Sequence, residues 1–386
     1  MKAKKIMAYA PYLLTLFLGL VLCSCTDTQP VQTETQSGID TQAPIVSVQT
    51  EQPKTELIVI NGVEYLGDET EIDLSGKGEV GYDALCAFFE KLPLLKRITA
   101  PDTTLSSEEF IGLCEKNEEV SLVTKVSFEG SVIDLGAHEI DLSEKKIEDK
   151  ETLTKLLSHV KERIKFVMCD TGLSNEELGK MREKFPHLEF AWRLYMGKWS
   201  LRTDDEAFSV MIYTYDYVRM TSEDISVLRY CTNMYALDLG HQAITDLSVI
   251  GEMKDLRVLI LADNKITDIS PLSNLKHLEY LELFVNRVTD LSPLAECKKL
   301  VDLNLGFNRT LTDISPIYEL DAIERLWLPT TKIPASKRSE ITATFPDAQI
   351  VYEDVDSVSS GWRTHPRYFM MRAMYTKNKY NPDFIQ

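Results

Sequence analysis

Between residues 234 and 328 the apolar positions recur at a fixed spacing. Four successive segments align: MYALDLGHQAITDLSVIGEMKD from Met234, LRVLILADNKITDISPLSNLKH from Leu256, LEYLELFVNRVTDLSPLAECKK from Leu278 and LVDLNLGFNRTLTDISPIYELDA from Leu300. The period is 22 residues, the last copy is one longer around Thr310 and Leu311, and IERLWLPTTKI from Ile323 keeps only the first half. Each LxxLxL core predicts a short strand with its Leu residues pointing inward. The Asn that follows turns the chain, and Asn264, Asn286 and Asn308 are expected to stack as a ladder. TDISPL then predicts a tight turn and a proline-started helical turn that returns the chain to the next strand. No single copy can bury its own apolar face, so the pattern calls for stacked copies sharing one core.

The string LxxLxLxxNxITDISPL is matched almost letter for letter from Leu256 to Leu272. It resembles the internalin-type leucine-rich repeat. The resemblance implies an α/β fold, a right-handed solenoid with a parallel β-sheet on the concave side and helices or helical turns on the convex side. It is a resemblance to a repeat type and implies no single binding specificity.

Residues 57–233 carry a longer period. The EIDLS strings at Glu71 and Glu139 lie 68 residues apart, and Gly62, Gly130 and Gly197 recur at 68 and 67. Each glycine reads as the turn of an inserted β-hairpin, most clearly at Asn61-Gly62. Each hairpin precedes two divergent repeats of about 25 residues with helical returning segments, at Gly81 to Leu92, Ser106 to Glu115, Asp149 to Arg163, Ser174 to Phe185 and Ser222 to Cys231. Ser106, Ser174 and Ser222 are N-cap candidates followed by acidic residues. Two arrangements fit this region: one solenoid continuous with the regular repeats of 234–331, or a separate α/β domain at 57–207.

The N-terminus has a basic start, an apolar run from Ile6 to Leu22 and the sequence Leu22-Cys23-Ser24-Cys25. This looks like a lipoprotein signal peptide over 1–24, with Cys25 as the lipidated mature N-terminus. An uncleaved membrane anchor is the alternative, and both place the rest outside the cytoplasm. Residues 25–56 are rich in Thr, Gln, Pro and Ser and read as a disordered tether. The net charge of −18 becomes about −21 once the leader's lysines are removed, which repels nucleic acid and anionic lipid. Cys86, Cys114, Cys169, Cys231 and Cys297 are an odd set, and their positions in the repeat pattern favour buried single thiols over disulfides. Residues 332–386 lose the period and read as a C-terminal cap. Within them Trp362 to Tyr375 is basic and aromatic, which suits docking on an acidic solenoid.

In an LxxLxLxx strand the residues between the Leu positions face the concave surface. The first column is Ala236, Val258, Tyr280, Asp302 and Arg325, and the second Asp238, Ile260, Glu282, Asn304 and Trp327. Gly240, Ala262, Phe284, Gly306 and Pro329 form the third, and His241, Asp263, Val285, Phe307 and Thr330 the fourth. Tyr280, Glu282, Phe284, Asp302, Phe307, Arg325 and Trp327 gather as a candidate partner-binding patch if the face is open. If the hairpins or the C-terminal tail cover it, the same rings belong to the core. Asp238, Asp263, Glu282 and Asp302 offer oxygens to a cation, but match no calcium loop. The scattered histidines, and the absence of nucleophile–base pairs or phosphate loops, point to no catalytic residues, no metal and no cofactor. The expected role is a lipid-anchored extracytoplasmic scaffold of the bacterial membrane that binds a protein partner, from a host or from the envelope, with a glycan as the other target and no nucleic acid. A structural envelope spacer and an extracellular enzyme or accessory subunit are the alternatives.

Overall fold

The computed structural model describes residues 57–60, 62–210, 218–354, 356 and 359–385. The expected signal peptide, the Cys25 lipidation site and the tether lie outside them, as does Asn61. From Thr55 to Gln386 the chain is one compact unit, with its larger apolar core running from Ile60 to Phe345.

Two modules of the same plan come first. A hairpin of Leu57–Ile60 and Val63–Leu66 precedes three parallel coil strands, which begin at Glu71, Arg97 and Ser121. The third strand, Ser121–Phe128, runs on into a second hairpin with Ser131–Asp134. Three more coil strands follow at Glu139–Asp141, Lys165–Val167 and Glu189–Ala191. The third hairpin, Arg193–Met196 with Trp199–Arg202, then leads into a seven-stranded parallel sheet. Gly62, Gly130 and Gly197 all have positive φ at the hairpin turns, a conformation glycine adopts without strain.

On the convex side, four helices cover the modules: Tyr82–Lys91, Ser107–Lys116, Lys150–His159 and Asn175–Lys184. Ser106 and Ser174 each form a capping box, with Glu109 and Glu177. Ser222 does not cap. Thr221 donates to Asp224 instead, and the Ser222 hydroxyl accepts from the Thr245 and Asp246 amides of the next coil. The segment it was expected to open is a short 3-10 helix, Asp224–Tyr230.

The seven strands are Ala207–Ser209, Ala236–Asp238, Val258–Ile260, Tyr280–Glu282, Asp302–Asn304, Arg325–Trp327 and Gln349–Val351. Their register aligns Ala236, Val258, Tyr280, Asp302 and Arg325 across the sheet. The last strand is a difference from the sequence reading. The repeat period ends at Thr331, yet helix Arg338–Thr344 and strand Gln349–Val351 add one more coil in parallel register.

Three asparagines bind neighbouring coils together. Asn264, Asn286 and Asn308 accept from the amides of Ile244, Ile266 and Val288, each at 3.0 Å. Their NH2 groups donate to carbonyls of the preceding coil, at Leu239, Leu261 and Leu283. Just before each ladder position the chain turns through a left-handed residue. His241, Asp263, Val285, Phe307 and Thr330 have φ between 49° and 61°, and the first four donate their amides to the following coil. Proline starts the return turns at Pro271, Pro293 and Pro316.

The five cysteines of the described residues are unpaired. Cys114, Cys169 and Cys297 are buried, whereas Cys86 and Cys231, also expected to be buried, are half-buried. Both pack against the core from its margin. Burial pushes the Cys114 and Cys231 thiols up to about 12, which keeps them from reacting as thiolates.

Replacing Asn286 by Ala leaves the buried Ile266 amide without its partner and removes one of two donors from the Leu261 and Leu283 carbonyls, and is expected to cost about 1 to 3 kcal/mol, read as a lower urea midpoint. Val285→Asn should act oppositely, because a β-branched residue is strained at positive φ and Asn is not. The expected gain is about 1 kcal/mol in the same measurement.

Candidate functional site: the concave face and its cover

The first three columns point where the LxxLxLxx pattern places them, away from the inward leucines, but the face they form is not open. Tyr280, Asp302 and Trp327 have no exposed surface, and Glu282, Phe284 and Arg325 are buried as well. Phe307 is half-buried and occupies the left-handed turn. The expectation of an exposed patch is therefore corrected: these residues belong to a second apolar core whose other half is the C-terminal segment.

That segment runs back across the concave face. Its helix, Pro366–Lys377, begins at His365 and ends at Asn378 in a left-handed conformation. Trp362, Met371, Met374, Tyr375 and Phe384 are its buried side chains, and they pack on Ala236, Val258, Ile260, Tyr280, Phe284 and Trp327. The Trp362 ring is seated among others, with centroids 5.4 Å from Tyr280 and 5.0 Å from Trp327. Phe384 closes on the far side of Tyr280 at 5.9 Å.

The polar groups of the columns are consumed by this docking. Arg325 makes two bonds of 2.7 Å to the Asp302 carboxylate, its guanidinium lies 4.5 Å from the Trp362 ring, and it donates to the Trp362 carbonyl. Arg367 joins the same carboxylate at 3.0 Å and also pairs with Glu324. Glu282 accepts from the Tyr280 hydroxyl and, at 2.8 Å, from the Trp362 indole. The Trp327 indole donates to the Ser359 carbonyl. At the other end Lys379 pairs with Glu206 at 2.9 Å, and the Tyr380 hydroxyl donates to Glu279.

Sequence reasoning named the Trp362–Tyr375 stretch but not the individual anchors Trp362 and Arg367. The available signal was compositional: from Trp362 to Lys379 there are five Arg or Lys residues and no acid, in a chain of net charge −18. Of the four acidic residues considered for a cation, Asp302 is bound by two arginines, and Asp263 pairs with Arg219 and His241. Among the described residues no group of three or more His, Cys, Asp or Glu side chains is arranged to hold a metal ion.

The open surface lies elsewhere. Leu57, Val59, Val63 and Leu66 of the first hairpin, Val132 of the second and Tyr195 of the third are all exposed. Tyr195 is held upright by its hydroxyl bond to Asp170, which also pairs with Arg193.

Burial pushes the Glu282 carboxyl up from its ordinary value, against the hydrogen bonds of Tyr280 and Trp362. A raised carboxyl favours the folded state while protonated, and that contribution is lost as pH rises from 4.5 through the folded-state value. Glu282→Gln keeps an acceptor without the charge. It should match the unaltered chain below pH 4 and exceed it increasingly in urea midpoint above pH 4.5. The paired substitutions Phe284→Ser and Trp327→Ser should lower stability by about 3 to 5 kcal/mol each, as truncations of core rings do.

Residues 254–296 and 278–319 match the family model for leucine-rich repeats in two copies. No curated protein sequence matches the chain. Among solved structures, an internalin C2 of Listeria monocytogenes is 19% identical over 64% of this chain and 90% of its own, with a TM-score of 0.31. An internalin (inlF) of the same species is 18% identical over 73% and 86%, also at 0.31. A leucine-rich-repeat protein of Leptospira interrogans is 16% identical over 71% and 75%, at 0.30. The repeats of residues 254–319 are thus leucine-rich repeats by sequence match, and the fold that carries them is an α/β leucine-rich-repeat solenoid.

Proposed function

We propose that this chain is a lipid-anchored extracytoplasmic scaffold that binds a protein partner through its hairpin-bearing half. The observation that supports this is the distribution of exposed apolar side chains. The concave aromatics Tyr280, Phe284 and Trp327 are buried and Phe307 is half-buried, whereas Leu57, Val59, Leu66, Val132 and Tyr195, on the three hairpins, each expose between 46% and 59% of their surface. Among the described residues Leu94, Val218 and Phe369 are the other large apolar side chains more than half exposed. Apolar groups left in water on a well-packed solenoid mark a surface that gains by being covered. The hairpins recur at the same place in the chain's longer period, so they present one kind of element along one body, as repeat scaffolds do. Leucine-rich repeats as a class serve protein–protein interaction, and the reading requires no catalytic step. The leader sequence supports anchoring through Cys25, and with it display of the scaffold outside the cytoplasm.

The test compares the chain from Thr26 onward with a Val59→Lys, Val132→Lys variant in proximity labelling or pull-down from envelope and host extracts. Both substitutions are on exposed side chains and should leave the urea midpoint within about 0.5 kcal/mol. Capture of a defined partner by the unaltered chain, reduced at least tenfold in the variant, is the expected result. Equal capture by both removes the hairpins from the interaction. Globomycin treatment of expressing cells, which blocks lipoprotein signal cleavage, should leave an uncleaved precursor if Cys25 is the acceptor.

A further inference from the structure

The C-terminal segment is held on the concave face in the manner of a bound ligand. Among the described residues, one backbone–backbone hydrogen bond ties residues 359–385 to the solenoid, from the Glu206 amide to the Asn378 carbonyl. Every other attachment involves a side chain. The anchors Met371, Met374 and Tyr375 stand three and four residues apart on one helix face, the spacing by which a helix enters an apolar groove.

The solenoid side is mainly acidic, with Arg325 and Arg257 seated against Asp302 and Glu279, and the segment side is mainly basic. The solenoid contributes Glu206, Glu279, Glu282, Asp302 and Glu324, and the segment contributes Arg367 and Lys379 to direct ion pairs. The fit is not complete. Arg363 Nε and the Tyr375 hydroxyl are buried without a hydrogen-bond partner, although buried polar groups in a settled core are nearly always paired. Such orphans are a standing cost of this docked state that a better-matched occupant would not carry.

We propose that the concave face of strands Ala207–Ser209 to Gln349–Val351 is a second binding site, specific for a basic, aromatic helix of a protein partner, and that the C-terminal segment is its resident occupant. The partner's segment carries an indole in the turn before its helix for the Tyr280–Trp327 pocket, a guanidinium in the first helical turn for Asp302 and Glu324, and apolar helix residues at positions three and four apart. Its binding displaces residues 359–385 and leaves the solenoid intact. This site is independent of the hairpins, and a soluble occupant competes with the resident one by mass action.

A fluorescein-labelled synthetic peptide of residues 359–385 serves as the probe, because its chemistry is the one the groove is known to accept. It is titrated by anisotropy into the unaltered chain from Thr26 onward and into the Arg367→Glu chain, whose resident segment faces Asp302 and Glu324 with the wrong charge. The Arg367→Glu chain should bind the peptide at least tenfold more tightly than the unaltered chain, and a peptide carrying Trp362→Ser should bind neither.

Hydrogen exchange on the unaltered chain provides a check that needs no variant. Amides of Arg367–Lys377 should exchange at least tenfold faster than those of strands Val258–Ile260 to Arg325–Trp327, and faster still in excess peptide. Exchange of helix and strands only together, or no saturable peptide binding by either chain, overturns the proposal. A concentration-dependent dimer that trades segments between copies, seen by light scattering, also overturns it, since the occupant would then be a second copy. None of these readouts depends on a hairpin residue, so failure here leaves the proposed function standing, and the reverse.

Discussion

The solenoid depends on backbone groups that would otherwise be stranded between coils. Where each coil leaves its strand, the chain turns inside the protein, away from water, and its amides and carbonyls have no sheet partner. Asn264, Asn286 and Asn308 answer that deficit with both ends of the side-chain amide, accepting at one end and donating to two or more carbonyls at the other. Gln242, one coil earlier, does the same with a longer arm, accepting from the Met220 amide and donating to the Gly240 carbonyl. Once these bonds fix the turn, the leucine columns have only one way to stack.

The same economy explains why the convex side tolerates variety. In the modules the return path is an α-helix, in the first regular repeat the short helix Ser248–Gly251, and in the next three a proline-started 3-10 turn. All deliver the chain to the next strand in register, because register is set at the ladder and the sheet. The regular repeats also share an Asp two residues before a Ser, at Asp246, Asp268, Asp290 and Asp313, whose carboxylates accept from the Ser amides and hold the turn. The Ser hydroxyls together with those amides keep the carboxyls below their ordinary value, the amide leading at Asp313.

Much of this was legible in the sequence, for a reason that also sets its limit. Periodicity reports which way a side chain points, so the inward leucines, the ladder asparagines and the columns of the concave face could be read from spacing alone. The capping boxes at Ser106 and Ser174 were readable because the partner lies three residues away. Ser222 is followed by acids but has Ile225 at the third position, and the pair at that spacing is Thr221 with Asp224. What lies over a face is a different kind of fact. The contact between Asp205 and Asn378 joins residues 173 apart, and no period links them. The orientation of Tyr280, Glu282, Asp302, Arg325 and Trp327 was legible, but whether their face stood open or covered was not, because pointing away from the first core says nothing about a second one.

A solenoid usually grows by gaining copies, and this one has a ruler laid along it. The C-terminal segment is pinned near one end of the seven-stranded sheet by Arg367 on Asp302 and near the other by Lys379 and Asn378 on Glu206. Duplicating a coil between those pins would part them by about 4.8 Å, which a helix rising 1.5 Å per residue can span only with about three more residues. Those residues would turn the helix by most of a revolution and swing Met371, Met374 and Tyr375 off the groove. Repeat number in the covered half is thereby tied to the length of a segment that contains no repeat, whereas coils outside the pins are free to multiply.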